Sequence, residues 1–266
     1  MAIYLKKFET MSQYNTYTAD TENFILPNVS LTVDNNTVHY NPSTPPTPSH
    51  DFVEIGGIKW ATMNIGANSV TDYGLYFQWG DTQGWTSEKA CCEGTGSGSG
   101  DGGGEPVVCD EGTKCFNFSD YKWTTDDGLT FTKYNSTDGI ITLEEGDDAV
   151  TAAWGGQWRM PTTAEFQALG NAVNTAWTSS YNSSGVAGLV LTDKTDSSKV
   201  LFFPACGNCF DGSVYEVGSL GSYWSSSLLS GTVQNAYYLD FYDGDVHWQT
   251  NYNRYDGFPV RGVLDE

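Results

Sequence analysis

Polar and apolar positions alternate along Ala236-Tyr-Tyr-Leu-Asp-Phe-Tyr242, so that Tyr238, Asp240 and Tyr242 fall on one side of an extended segment and Tyr237, Leu239 and Phe241 on the other. The second set predicts a face packed on a core, and the first is then expected to point to solvent. Shorter apolar runs bounded by turn residues predict further strands. These are Phe52-Val-Glu-Ile-Gly-Gly-Ile-Lys-Trp60 as two strands around a Gly-Gly turn, Tyr73 to Gly80, Gly188 to Thr192, Val200 to Pro204, and a final strand at Phe258 to Val263. Helical signals are confined to the middle of the chain. Glu144-Glu-Gly-Asp-Asp148 places acids ahead of Ala149-Val-Thr-Ala-Ala153, where the helix macrodipole favours them. Thr162 and Glu165 have capping-box spacing, and Phe166, Leu169 and Val173 follow as one apolar stripe.

The organisation around these elements is uneven. Residues 1–41 form a first unit, too short to hold much of a core alone, and are read as an assembly or anchoring segment. Residues 42–50 are a Pro-rich linker, whose prolines favour extended polyproline geometry. The main domain spans 51–266 and carries a Gly/Ser/Glu-rich insert at 91–105. Cys91, Cys92, Cys109 and Cys115 flank this insert and could pin its base, while Cys206 and Cys209 form a second cluster; all six are candidates for disulfides.

Composition narrows the function classes. The chain has 266 residues, 14% aromatics, 30 glycines and only 12 Lys and Arg, a mixture expected of short strands and many turns. A net charge of −21 opposes binding to nucleic acid or to an anionic membrane surface. No run approaches the roughly 20 apolar residues of a membrane span, and the first residues lack the apolar core of a signal peptide. The even cysteine count suggests an oxidising final environment, which a particle assembled in the cytosol and released by lysis would meet.

The C-terminal tract carries a separate signal. From Asn235 to Asp256, thirteen of twenty-two positions are Asn, Tyr, Asp or His, amino acids whose codons differ only at the first base. Randomising the first adenine of an Asn codon yields this set, and changing the second adds Ser, Thr, Gly and Ala. Ordinary turn chemistry also favours these residues, and antibody-like paratopes use Tyr and Asn for contact area and adaptable hydrogen bonding. Both origins give a surface suited to recognition.

Several motifs then occur in a fixed order. Lys59-Trp-Ala-Thr-Met-Asn-Ile-Gly66, Asp72-Tyr-Gly-Leu-Tyr-Phe-Gln-Trp-Gly-Asp81, Asp147-Asp-Ala149, Trp154-Gly-Gly-Gln-Trp-Arg-Met-Pro-Thr-Thr-Ala-Glu-Phe166, Tyr223-Trp-Ser-Ser226 and Gly257-Phe-Pro-Val-Arg261 resemble the Fibrobacter succinogenes major paralogous domain, over roughly residues 51–264. That family is related to formylglycine-generating-type domains. The resemblance implies an α+β, C-type-lectin-like fold with short twisted antiparallel strands and about two helices, preceded by the small anchoring segment. The biased tail is similar to the variable region of diversity-generating retroelement proteins such as phage tropism determinants, here about 223–261. It implies Tyr238, Asp240, Tyr242, Asp243, Asp245, His247, Trp248, Gln249, Thr250, Tyr252, Tyr255 and Asp256 as variable contacts, on a scaffold that includes Gly257, Phe258, Val260 and Arg261. Trp248 and Gln249 cannot arise from an Asn codon by adenine changes, though an Arg and a Lys codon could give them. Lys7-Phe-Glu-Thr10, Ile25-Leu-Pro-Asn-Val-Ser30 and Val38-His-Tyr-Asn-Pro42 resemble the start of structural proteins of gut-bacterial phages. Together these imply a receptor-binding protein on a phage tail or particle surface, in contact with other virion proteins through residues 1–41 and with a bacterial cell-surface protein or glycan, and a homotrimer as in related determinants. The alternatives are a virion or cell-envelope decoration protein, with a bacterial surface location, and an enzyme of the formylglycine-generating type.

Other chemistry finds weaker footing. Cys206-x-x-Cys209 is the only late cysteine pair for such an enzyme, and no catalytic residue is assigned. The same pair has zinc-ligand spacing, but Cys109 and Cys115, its potential complement, are spaced too widely. Glu144, Glu145, Asp147 and Asp148 could bind calcium, yet a charged helix start accounts for them. No metal or other cofactor is expected. His39, His50 and His247 stand beside no nucleophile motif, and the Gly run lacks the Lys-Ser/Thr ending of a phosphate loop.

Overall fold

The computed structural model describes residues 29–34, 37–42, 50–90, 112–125 and 130–265. The chain divides into two units, Met1–Ser49 and His50–Glu266. In the first, β1 (Val29–Asp34) and β2 (Thr37–Pro42) form an antiparallel hairpin with Val33 opposite Val38. The rest of the anchoring segment, linker residues 43–49 and the Gly-rich insert lie outside the described residues. Pro42 closes β2, and His50 belongs to the second unit, its ring stacked 4.1 Å from that of Trp154.

Among the described residues the second unit is built from small antiparallel sheets and two α-helices. One sheet has the order β3 (Phe52–Ile55), β4 (Ile58–Asn64), β16 (Arg261–Leu264), β6 (Trp158–Arg159). A second runs β11 (Ser213–Tyr215), β10 (Asn208–Phe210), β15 (Gly257–Pro259), β5 (Tyr76–Gln78). The third is β7 (Val173–Thr178), β8 (Gly188–Asp193), β9 (Val200–Pro204), and the fourth is β12 (Leu220–Leu228), β13 (Asn235–Tyr242), β14 (Asp245–Asn253). Gly56 and Gly57, both at positive φ, make the expected tight turn between β3 and β4.

Helix α1 (Ala149–Trp154) starts at Asp148, whose carboxylate accepts the Val150 and Thr151 amides and also reaches the Met160 amide. Helix α2 (Thr163–Ala172) opens with the predicted box: Thr162 Oγ1 accepts the Glu165 amide, and Glu165 Oε2 accepts the Thr162 amide. Arg159 holds the same glutamate in a two-pronged pair. The predicted stripe Phe166, Leu169 and Val173 is buried with Trp60, Phe203, Leu239 and Phe241. A second core joins Trp79, Trp158, Trp224 and Phe258. Arg261 is wholly buried and donates to Asn64 Oδ1 and to the Ala61 and Phe202 carbonyls, tying β16 to β4 and β9.

Two strand readings change. Residues after Tyr242, where the sequence pattern predicts no strand, form a second long one, β14, folded back on β13 through a turn at Gly244 (φ 97°). The closing strand is interrupted at Val260, whose carbonyl accepts the Ile65 amide, so β15 and β16 belong to different sheets.

Candidate binding face

The β12–β13–β14 sheet positions the biased tract, because its pairing decides which side each residue faces. On β13 and β12, Tyr242 opposes Leu220, Asp240 opposes Ser222 and Tyr238 opposes Trp224. On β14, Asp245 opposes Tyr242, His247 opposes Asp240, Thr250 opposes Tyr238 and Tyr252 opposes Ala236. Paired residues share a face. Tyr238, Asp240, Tyr242, Asp245, His247, Thr250 and Tyr252 therefore line one side of the sheet. Between His247 and Thr250, β14 carries one residue more than β13, a bulge that restores the alternation beyond it.

The surface of this face is graded. Tyr242 and Tyr252 are 42% and 40% exposed, whereas Tyr238 and Asp240 are half-buried. Tyr238 lies 4.9 Å from Phe258 and 6.3 Å from Tyr252 by ring centroids, and Phe258 stacks on Trp224 at 4.1 Å. Offset and tilted rings at such separations attract one another beyond their buried area. Toward the hairpin tip, His247 Nδ1 sits 3.3 Å from Asp240 Oδ2 and its Nε2 3.4 Å from Asp245 Oδ2. Tyr242 donates its hydroxyl to the same Asp245 oxygen at 3.4 Å. Burial raises the carboxyl of Asp240 above its ordinary pKa, partly offset by His247.

Five expected contacts sit elsewhere. Trp248 and Gln249 occupy the bulge on the α2 side: the Trp248 indole lies against Gly170, and Gln249 accepts from Gln167 at 2.5 Å. Trp248 also borders a cleft of about 340 Å³ with Thr175, Trp177, Leu189 and the hairpin tip. Tyr255 turns away to meet Phe118 edge-on at 5.5 Å. Asp256 is only 2% exposed, because the turn at Asn253 to Asp256 folds it under the sheet edge before β15. Asp243 is exposed at the hairpin tip, beyond the paired positions.

Sequence reasoning missed Asn208 and Asp211, which the pairing of Cys209 with Gly257 brings to the end of the tract, and Glu216, whose carbonyl accepts the amide of Leu220, the residue opposite Tyr242; no local pattern announces these contacts.

Cys115 is in a disulfide, which also removes it as a zinc ligand. Cys91, Cys92 and Cys109 lie outside the described residues. Cys206 and Cys209 are buried thiols, which corrects their expected place among the disulfides. Cys206 Sγ lies 3.1 Å from the Tyr223 hydroxyl, and burial pushes its thiol pKa up to about 12. The acids around α1 are likewise engaged: Lys122, Lys133 and Tyr134 hold Asp147, and Asp148 caps the helix. Among the described residues no helix is long and apolar enough to cross a membrane.

Comparison with family models, curated proteins and solved structures finds no match to this chain.

Proposed function

We propose that this chain is a diversified ligand-binding protein of the retroelement type, carried on a gut-phage particle and recognising host-cell surface molecules through the outer face of the β12–β13–β14 sheet, on a C-type-lectin-like domain. One observation carries the reading: seven codon-biased positions, Tyr238 to Tyr252, converge on a single face, although a bulge interrupts their strand. Variation there would leave the core intact, since the alternate positions Leu239 and Phe241 hold the sheet on α2 and β9. Tyrosines flanked by small polar groups are what strong interfaces use. The burial of Cys206 and Cys209 favours a packing role over nucleophilic catalysis.

The test combines binding with the genetic locus. A Tyr242→Ala, His247→Ala, Tyr252→Ala variant is expected to lose retention on host-cell surface extracts while melting close to the parent. A near-copy of codons 223–261, differing only at adenines of a template beside a reverse-transcriptase gene, is expected in the same genome. Unchanged retention by the triple variant would instead favour a decoration protein.

A further inference from the structure

The β7–β8–β9 sheet has two outer edges, and hydrogen bonding treats them differently. Lys194 donates its amide to the Ala172 carbonyl, which sets the alternation along β7. The backbone groups of Asn174, Ala176 and Thr178 then face β8, while the N–H and C=O of Thr175 and Trp177 face outward. On the other side Ala205 donates its amide to the Ala187 carbonyl, and the same alternation turns the Phe202 and Pro204 carbonyls of β9 outward. The β9 edge is closed: Arg261 donates to the Phe202 carbonyl at 3.0 Å, and the Tyr223 hydroxyl to that of Pro204 at 2.8 Å. No group among the described residues closes the β7 edge at Thr175 or Trp177. Its sequence, Val-Asn-Thr-Ala-Trp-Thr, also lacks the lysine, proline or charge that ordinarily guards an exposed edge.

This open edge borders the cleft of about 340 Å³, which has Thr175 and Trp177 on one side, Val246 and Trp248 on the other, and buried Leu189 between the sheets. Both indoles are half-buried and fixed by packing: Trp177 meets Phe241 edge-on at 6.4 Å, and Trp248 lies against Gly170. We propose that an extended polypeptide segment of a partner adds a strand to β7 along Thr175–Trp177 and places a large apolar side chain in the cleft, between Trp177 and Trp248. Outward N–H and C=O groups at a two-residue spacing are matched by another extended backbone. A residue paired with Thr175 or Trp177 shares the face of that residue, so its side chain enters the cleft. A small ligand in the cleft would leave the edge unpaired. Thr175, Trp177 and Leu189 lie outside the codon-biased tract, and the pairing does not depend on the outer face of the β12–β13–β14 sheet.

The experiment uses the full chain on an immobilised library of random dodecapeptides. Peptides with apolar residues at alternate positions are expected to be enriched. Thr175→Pro removes an outward N–H and no bond to β8, so this variant should melt close to the parent and bind those peptides at least roughly tenfold more weakly. Methylating the backbone nitrogens of an enriched peptide one at a time tests the pairing on the parent protein itself. Binding should fall at every second residue and hold at those between, and the Thr175 and Trp177 amides should exchange more slowly in the complex. Peptides indifferent to N-methylation, or held equally by Thr175→Pro, would overturn the proposal. Peptides lost instead in a His247→Ala, Tyr252→Ala variant would belong to the outer face and leave the edge without its partner. Self-association of the parent that Thr175→Pro abolishes, with no peptide enriched, would make the occupant a second copy of this chain and overturn the partner segment. Enrichment of no peptide in a protein that stays monomeric would sink the edge site altogether.

Discussion

The indole of Trp248 fills the space that a side chain on Gly170 would need: a Cβ at residue 170 would fall 2.6 Å from its ring atoms. This contact fastens β14 to α2, and it is why the bulged part of the strand faces inward. Alanine is worth about 1 kcal/mol over glycine in a helix, but here the ring must move, and overpacking typically costs about 1–3 kcal/mol. Gly170→Ala is expected to lower the melting temperature. In a Trp248→Ala background the same change should raise it, and a double-mutant cycle by thermal denaturation reads the difference. Equal effects in both backgrounds would remove the contact from the account.

Framework and face should respond oppositely to truncation. Trp224 and Phe258 are buried and stacked, so Trp224→Ala or Phe258→Ala should cost about 3–5 kcal/mol and leave little folded protein. Tyr242→Ala and Tyr252→Ala remove exposed rings and should each stay within about 0.5 kcal/mol. Urea denaturation of the four single variants checks the division. A large loss at Tyr242 would mean that the hairpin tip is part of the core.

Helices α1 and α2 and strands β3, β4, β5, β8, β9 and β13 are legible because each carries a local signal, among them the Thr162–Glu165 box, the Gly56-Gly57 turn and the alternation through Tyr238, Asp240 and Tyr242. Strand β14 is not legible. Its inward side rests on Gly170 and Gln167 instead of a deep core, so Gln249 and Asn251 can replace apolar residues, and the bulge breaks the period of two. The misplacement of Asp256 has a different cause. Aspartate is ordinarily exposed, and only the long-range pairing of Gly257 with Cys209 and Gln78 covers this one. Trp248 and Gln249, the two tract members that an Asn codon cannot produce, are also the two that the bulge turns toward α2, so codon and geometry agree on them.

Cys206 should be inert in the folded protein. Its thiol is enclosed by Tyr223, Asn64 and the Pro204 carbonyl, and a pKa pushed up to about 12 leaves almost no thiolate near neutrality. Iodoacetamide at pH 8 is expected to leave it unmodified until denaturant is added, as peptide mass mapping would record. Rapid native alkylation at Cys206 would contradict the burial.

Asp256 should make stability depend on pH in a direction opposite to most carboxylates. Burial first, and then the neighbouring Asp211, raise its folded pKa well above the unfolded value of 3.8. The folded state therefore holds a proton that the unfolded chain releases. Stability from this group is complete below the unfolded pKa and declines as pH rises through the folded one. Asp211 and Asp240 shift the same way, chiefly through burial. Asp147 and Glu165, where burial is outweighed by Lys133 and Arg159 with their hydrogen-bonding neighbours so that the pKa is lowered, act in the opposite sense and lose their contribution as pH falls. Asp256→Asn keeps the shape and removes the titration, so its melting temperature should exceed the parent's at pH 8 by more than at pH 4.5. Tyr238, the other group in electrostatic contact with Asp256, has its own pKa raised and stays neutral across that window. A melting difference that is constant between the two pH values would show that the Asp256 carboxyl is either solvated or already supplied with a donor.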